Sequence, residues 1–347
     1  MWRWFLLNSY NTQSFKYIAL DKNLNAIRDI SACVEDGGTV DYNSLTRLKA
    51  SCNIPVSLSP YEVLNLYAVR VYHVLNDVEE CLGTFLISTP ESTFEDDIQN
   101  IECTGYSTLW RISNNSPDGR FYVPLGTNCV AEVKRILTML GFSFSIPDST
   151  KTTSTNREWE IGTYYLDIIN DLLDVAGYTS LYVDTLGNYV AAEYILPEDR
   201  TIDLVLNEND INSMIEPTQI STLDKFNVYN KFIFYVNNPE LDLYAIYERL
   251  EGETGTDNVP VNTYVEEVSD VADYDTLYTK CKQKNADSLS IYNKVEVNTA
   301  IQMMPTYMPT ISLRHYQSRG KYTCTSFTIP LDVGGSMTLN LRRSVSV

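Results

Sequence analysis

The sequence predicts a β-rich α+β protein, and three observations carry that expectation. Short alternating or β-branched runs bounded by turn residues fill residues 1–112 and return after Pro197. Between them, two stretches carry apolar residues at helical spacing, each stopped by a glycine. Apolar residues make up 44% and charged residues 20% of 347 positions, enough to bury two or three cores and too apolar for a disordered chain. The expected units are 1–112, 113–198 and 199–347.

In the first unit, Thr46 to Cys52 alternates polar and apolar as a half-buried strand does. Val69 to Leu75 alternates likewise and meets the turn pair Asn76-Asp77. Cys81 to Ser88 returns from that turn and is expected to end at Pro90. After the acidic turn Glu95-Asp96-Asp97, a third strand is expected from Ile98 to Gly105. Strands with turns this close together fit a barrel or a sandwich.

The polar stretch Ser113 to Gly119, with Pro117, marks a boundary. Beyond it Val130, Val133, Ile136, Leu137 and Leu140 form one helical stripe, stopped by Gly141. Leu166, Ile169, Leu172, Leu173 and Ala176 form a second, stopped by Gly177. A short strand is expected after each, over Phe142–Ile146 and Tyr178–Val183, with a hairpin around Asp184 to Asn188. The middle unit therefore reads as a small α/β domain.

In the last unit, Phe226 to Val236 is the longest β-type run, with Leu243 to Leu250 as its hairpin partner. Glu251 to Pro260 is an acidic, glycine-containing loop. A helix is expected from about Val271 to Asp287, with Tyr274, Leu277, Tyr278 and Cys281 on one face. Val333 to Ser336 makes a tight turn before a last strand, Met337 to Leu341.

The charge is lopsided: 45 Asp and Glu against 26 Lys and Arg, a net of −19. Such a chain is not built to wrap phosphate backbones. Residues 195–285 hold 18 acids against seven bases, and residues 286–347 three acids against six bases. Surfaces of opposite sign can dock subunits head to side, and a solvated acidic face is the plainer alternative.

Chemistry has few footholds. The two histidines, His73 and His315, lie in no metal-ligand spacing, and no GxSxG, GxGxxG or phosphate-loop motif occurs. Glu158 and Glu160 flank Trp159 as a glycosidase pair could, but a tryptophan packed over the following helix is the simpler reading. The seven cysteines, with no two within four residues, are expected as free thiols in strands and one helix. The Met1 to Asn8 segment is too short for a signal-peptide core, and no run approaches a membrane span, so a protein folded in a cytoplasm is expected.

Several segments then converge on one family. Gly83-Thr84-Phe85, Ser88-Thr89-Pro90, the acidic turn and Glu102-Cys103-Thr104-Gly105-Tyr106-Ser107 resemble the first barrel of tail-tip and baseplate hub proteins of tailed phages. Tyr122 to Thr127, Trp159 to Thr163, Leu172 to Tyr178 and Val183 to Asn188 are similar to the family's α/β insertion. Arg319 to Cys324 and Gly334 to Leu339 are similar to the closing strands of its second barrel.

The resemblance implies two tube-like β-barrels with an α/β insertion, the first barrel open to completion by strands after 200. It implies a non-enzymatic virion protein, without cofactor or metal, assembled in the host cytoplasm. Its homotrimer would form a pseudo-sixfold ring lining the DNA channel without reading DNA sequence. A distal tail protein or tail tube would sit above, a tip, spike or fibre protein below, and a tape-measure protein inside. Glu251, Glu253, Asp257, Glu266 and Glu267 are then the acids expected at the lumen or at an interface. Many relatives continue into fibre, peptidase or wall-degrading modules, so with the sequence ending at Val347 any lytic module is expected on another chain. A receptor- or carbohydrate-binding tail protein is the alternative reading, and a tail-associated wall hydrolase using Glu158 and Glu160 the third.

Overall fold

The computed structural model describes residues 12–58, 62–63, 65–95, 98–210, 213–223, 228–238, 241–268, 274–315 and 318–343. The architecture is β-rich α+β, dominated by one thirteen-stranded sheet. Its first half holds β1 (Gln13–Leu20), β2 (Ala26–Asp29), β3 (Thr39–Asn43), β4 (Ala50–Val56), β5 (Ala68–Leu75), β6 (Val78–Glu95) and β7 (Ile98–Ser107). Its second half holds β13 (Leu204–Asn207), β14 (Gln219–Leu223), β18 (Asn293–Thr299), β19 (Thr310–His315), β20 (Ser318–Pro330) and β21 (Met337–Arg343). The strand order is β14-β18-β21-β20-β3-β4-β7-β6-β5-β1-β2, with β19 also on β20 and β13 on β19. The halves join where β20 runs antiparallel to β3, from Ser326 opposite Asn43 to Pro330 opposite Thr39. One core crosses this seam, drawing Val40, Ile54, Val71 and Phe85 from the first half and Val297, Leu313, Phe327 and Leu339 from the second.

Two family-like glycines sit where packing leaves no room. A β-carbon on Gly83 would lie 2.5 Å from the Phe85 ring and 2.7 Å from the Tyr42 hydroxyl, and one on Gly105 would lie 2.7 Å from the Cys52 sulfur. The turn at Asn76-Asp77 is as expected: both residues have positive φ, 52° and 65°, the geometry of a tight hairpin between β5 and β6.

Between the halves lie α1 (Trp110–Ser113), β8 (Phe121–Val123), α2 (Cys129–Met139), β9 (Phe144–Ser145), β10 (Arg157–Trp159), α3 (Tyr165–Ala176), β11 (Tyr182–Val183) and β12 (Tyr189–Val190). The two expected apolar stripes pack together in one core, buried except for the partly exposed Leu140. Asn128 caps α2 by accepting the Ala131 amide at 2.8 Å, and Gly177 ends α3 at φ 74°. The β11–β12 tip plugs into the large sheet. Thr84 and Thr108 hydroxyls donate to the carbonyls of Thr185 and Gly187 at 2.9 and 3.1 Å, and Arg70 donates to that of Leu186 at 3.1 Å. Arg47 adds a bidentate bridge to Asp167 at 2.7 and 3.0 Å.

A third cluster is built by β15 (Lys231–Asn238), β16 (Leu241–Glu248), β17 (Thr263–Glu267) and α4 (Tyr274–Tyr292). Phe232, Phe234 and Ala245 face Leu277 and Cys281 of the helix. The hairpin partnership of β15 and β16 is as expected.

Several expectations need correction. Thr46–Lys49 is a turn, because the Asn43 side chain accepts the Leu45 amide and Lys49 adopts φ 64°; β4 starts only at Ala50. Pro90 does not end β6, which runs on to Glu95. The β5 pairing ends at Leu86, so at Pro90 only β7 is alongside, and the missing amide breaks no second ladder. The strands expected over 142–146 and 178–183 shrink to two residues each. β15 begins at Lys231, and Phe226 and Asn227 lie outside the described residues. The last helix runs five residues further than expected, to Tyr292, with 271–273 outside the described residues. None of the seven cysteines is in a disulfide, as expected, but two lie in α-helices, Cys129 and Cys281, and Cys33 lies in a 3-10 turn.

Candidate functional site

The acids singled out from sequence all belong to the β15–β17 unit, but they do not form one cluster. β15 is central, with β16 antiparallel on one side and β17 parallel on the other. Its inward residues Phe232 and Phe234 are 0% and 3% exposed, so alternation turns Ile233 and Tyr235 outward. Opposite them, Ile246, Tyr244 and Val265 are exposed on the same outer face.

Glu266 and Glu267 are neighbours in a strand and so point to opposite faces. Glu266 faces the helix side, accepting the Tyr264 hydroxyl at 2.6 Å and lying 3.6 Å from Lys284. Burial and the Glu266 carboxylate hold the Tyr264 phenol above its usual range. Glu267 is exposed and takes the Tyr235 hydroxyl at 3.4 Å.

Glu251, Glu253 and Asp257 sit in the loop between β16 and β17, at the opposite end of the sheet. That loop leaves β16 after Glu248, opposite Lys231, whereas Glu267 lies opposite Tyr235. Four residues of β15 separate the ends, roughly 13 Å at about 3.3 Å per residue. The loop is built, not slack. Arg249, 9% exposed, donates to the Asn285 side-chain oxygen and to the carbonyls of Tyr229 and Thr254 at 3.0 and 3.2 Å. Burial lowers its pKa, and its partners are neutral oxygens. The buried Asn230 amide donates to the Thr254 and Pro260 carbonyls at 3.4 and 3.1 Å. Backbone turns from Thr256 to Arg249 and from Asp257 to Leu250 complete the knob, from which the three acids project into solvent.

The other residues weighed for chemistry are placed structurally. Glu158 and Glu160 converge on Arg120, at 2.9 and 3.3 Å. Trp159 packs against the middle core and donates to Asp171 at 3.0 Å, as the simpler reading expected. His73 is 4% exposed and His315 8%; each has a glutamine partner, Gln13 at 3.1 Å and Gln219 at 2.7 Å. Among the described residues no group of three or more His, Cys, Asp or Glu is placed to hold a metal ion. No helix among them is long and apolar enough to cross a membrane.

Two cavities of about 500 Å³ among the described residues were not foreseen. One, of about 530 Å³, separates the end of α3 from α4 and is bridged by Lys280 and Asp174 at 3.2 Å. The other, of about 490 Å³, lies where β13, β19 and β20 meet and is flanked by Arg314 and Arg319. The basic count of residues 286–347 hinted at it, but only the strand register brings these two arginines together.

No protein-family profile matches the sequence, and no curated protein does. Solved structures do match. The 43 kDa tail protein of prophage MuSo2 from Shewanella oneidensis superposes with a TM-score of 0.68 at 10% identity, over 96% of this chain and 99% of that one. A tail protein from Neisseria meningitidis MC58 gives 0.68 at 12% identity, over 95% and 97%. Prophage tail protein gp18 from Listeria monocytogenes gives 0.59 at 12% identity, over 95% of each chain. The fold is thus that of phage tail proteins, shared from end to end of the described sheet system.

Proposed function

We propose that this chain is a structural hub protein of a phage tail tip or baseplate. The observation that carries the reading is the shared fold, which spans at least 95% of this chain and of each of three tail proteins. In this reading three copies form a pseudo-sixfold ring, and the two halves of the thirteen-stranded sheet supply the tube-like barrels. The ring joins a sixfold tube or distal tail protein above to a threefold tip, spike or fibre below, with a tape-measure protein inside. The role is to hold geometry in the virion, not to catalyse a reaction.

Two physical features support it. The long sheet ends at β2 and β14, each with one partner strand, and such edges favour pairing with another chain over exposure to water. The acid of residues 195–285 suits a channel wall that repels passing DNA, so part of it is assigned to the bore.

The test is size-exclusion chromatography with light scattering, followed by negative-stain imaging. The expected result is a trimer with a central opening whose wall is net negative. A protein that stays monomeric at tens of micromolar concentration would overturn the reading, and a trimer with a neutral or positive bore would overturn the assignment of acid to the channel.

A further inference from the structure

We propose that the Arg314–Arg319 cleft receives the Glu251–Asp257 loop of a second copy of this chain, so that each subunit offers one knob and one socket. The inference deepens the trimer reading and rests on it.

The socket is the first observation. Arg314 and Arg319 stand directly opposite each other across the antiparallel β19–β20 pair. Like charges in that relation destabilise a sheet, which makes the arrangement costly in a free subunit. One acid lines the cavity, Glu208, 3.6 Å from Arg319 and only partly exposed. The Arg319 side chain is 70% exposed, and among the described residues the Arg314 guanidinium has no ion-pair partner. Asn207, Asn209 and Gly320 complete a cavity of about 490 Å³. Two planar guanidiniums in excess over one carboxylate form a site for carboxylates, which each fork can take in a bidentate fashion.

The knob is the second, independent observation. A surface loop with three acids in seven residues is ordinarily free to move, whereas this one is fixed from below by Arg249 and Asn230. A fixed loop has already lost the conformational entropy that docking would otherwise cost, so its carboxylates are prepared for a partner.

Charge identifies the partner as another copy. Residues 195–285 carry a net −11 and residues 286–347 a net +3; the knob lies in the first, and the two arginines of the socket lie in the second, beside Asn207, Glu208 and Asn209 from the first. Among the described residues no ion pair joins the knob to the socket within one subunit; Arg319 pairs with Glu208. Two different patches meeting between identical chains make a head-to-tail contact, the kind that closes into a ring. The contact also removes the repulsion between Arg314 and Arg319.

The test compares full-length proteins by light scattering and sedimentation at low salt. Arg314→Glu with Arg319→Glu is expected to weaken self-association roughly tenfold or more, as is Glu251→Lys with Glu253→Lys and Asp257→Lys. Carrying all five substitutions on one chain, so that reversed socket meets reversed knob at every contact, is expected to restore self-association. Circular dichroism and the melting midpoint establish that each variant is folded; all five positions are at the surface. If wild type and both variants form the same trimer with the same affinity, this contact is overturned and the trimer reading stands. If both variants weaken but the chain carrying all five substitutions recovers nothing, the pairing of this knob with this socket is overturned. If wild type is monomeric, the trimer reading falls and this inference falls with it.

Discussion

At the residue scale, the most informative side chain is one that does no chemistry. Gln13 accepts the Gly334 amide at 2.9 Å through its carbonyl oxygen, so its amide nitrogen is the group facing His73. An amide nitrogen only donates, so the His73 ring must accept at Nε2 and carry its proton on Nδ1, which has no hydrogen-bond partner among the described residues. A neutral ring fits that environment. Burial holds the His73 pKa below its usual value near 6.5, and outweighs the opposing pull of Glu80 across the strand. The unfolded chain therefore takes up a proton that the folded ring refuses. The stability from the neutral ring is complete above about pH 6.5 and is lost progressively as the pH falls below it. Melting curves from pH 7.5 to 5 should show a fall in midpoint for wild type that is smaller in His73→Gln. Equal slopes for the two proteins would refute this account of His73.

At the element scale, local signals were legible and distant ones were not. Helices α2 and α3 were readable to within about a residue, because apolar spacing and a glycine stop act over a few turns. Thr46 to Cys52 misled because alternation carries no record of Asn43 capping a turn or of Lys49 at φ 64°. The acids of the loop between β16 and β17 were legible as charge. The buried arginine that shapes the loop was not, because its partners come from Tyr229, Thr254 and Asn285. The socket was legible only as a basic count, since register, not sequence, sets Arg314 against Arg319. Replacing Arg249 by methionine takes the arginine donor from the Asn285 side-chain oxygen and leaves the Tyr229 and Thr254 carbonyls only their second donors, Ser288 and Asn230, and should cost about 1–3 kcal/mol. A glutamate-specific protease should then cut at Glu251 or Glu253 faster than in wild type, and an unchanged cutting rate would remove Arg249 from this role.

At the scale of the whole molecule, the two sheet halves share one core and cannot be treated as separate bodies. Phe327 stacks on Tyr42 across the seam, with ring centroids 4.8 Å apart, and is 4% exposed. Phe327→Ala should cost roughly 3–5 kcal/mol. Its signature is spatial: amide exchange should accelerate in β3, β4 and β7 of the first half as well as in β21. Acceleration confined to the second half would show that the halves open independently. The middle unit is tied to the same body by the β11–β12 plug and the Arg47–Asp167 bridge.

The seam between β3 and β20 also has a consequence for synthesis on the ribosome. Asn43 leaves the exit tunnel long before Ser326, its partner, has been made. At about 5–20 residues per second, the interval is roughly a quarter of a minute to a minute. Throughout that time the nascent chain carries an unpaired β3 edge while β4, β5, β6 and β7 are already available to fold beside it. Several ribosomes on one message would hold such edges close together, so the final strands act as a late clasp that ends the nascent chain's exposure to its neighbours.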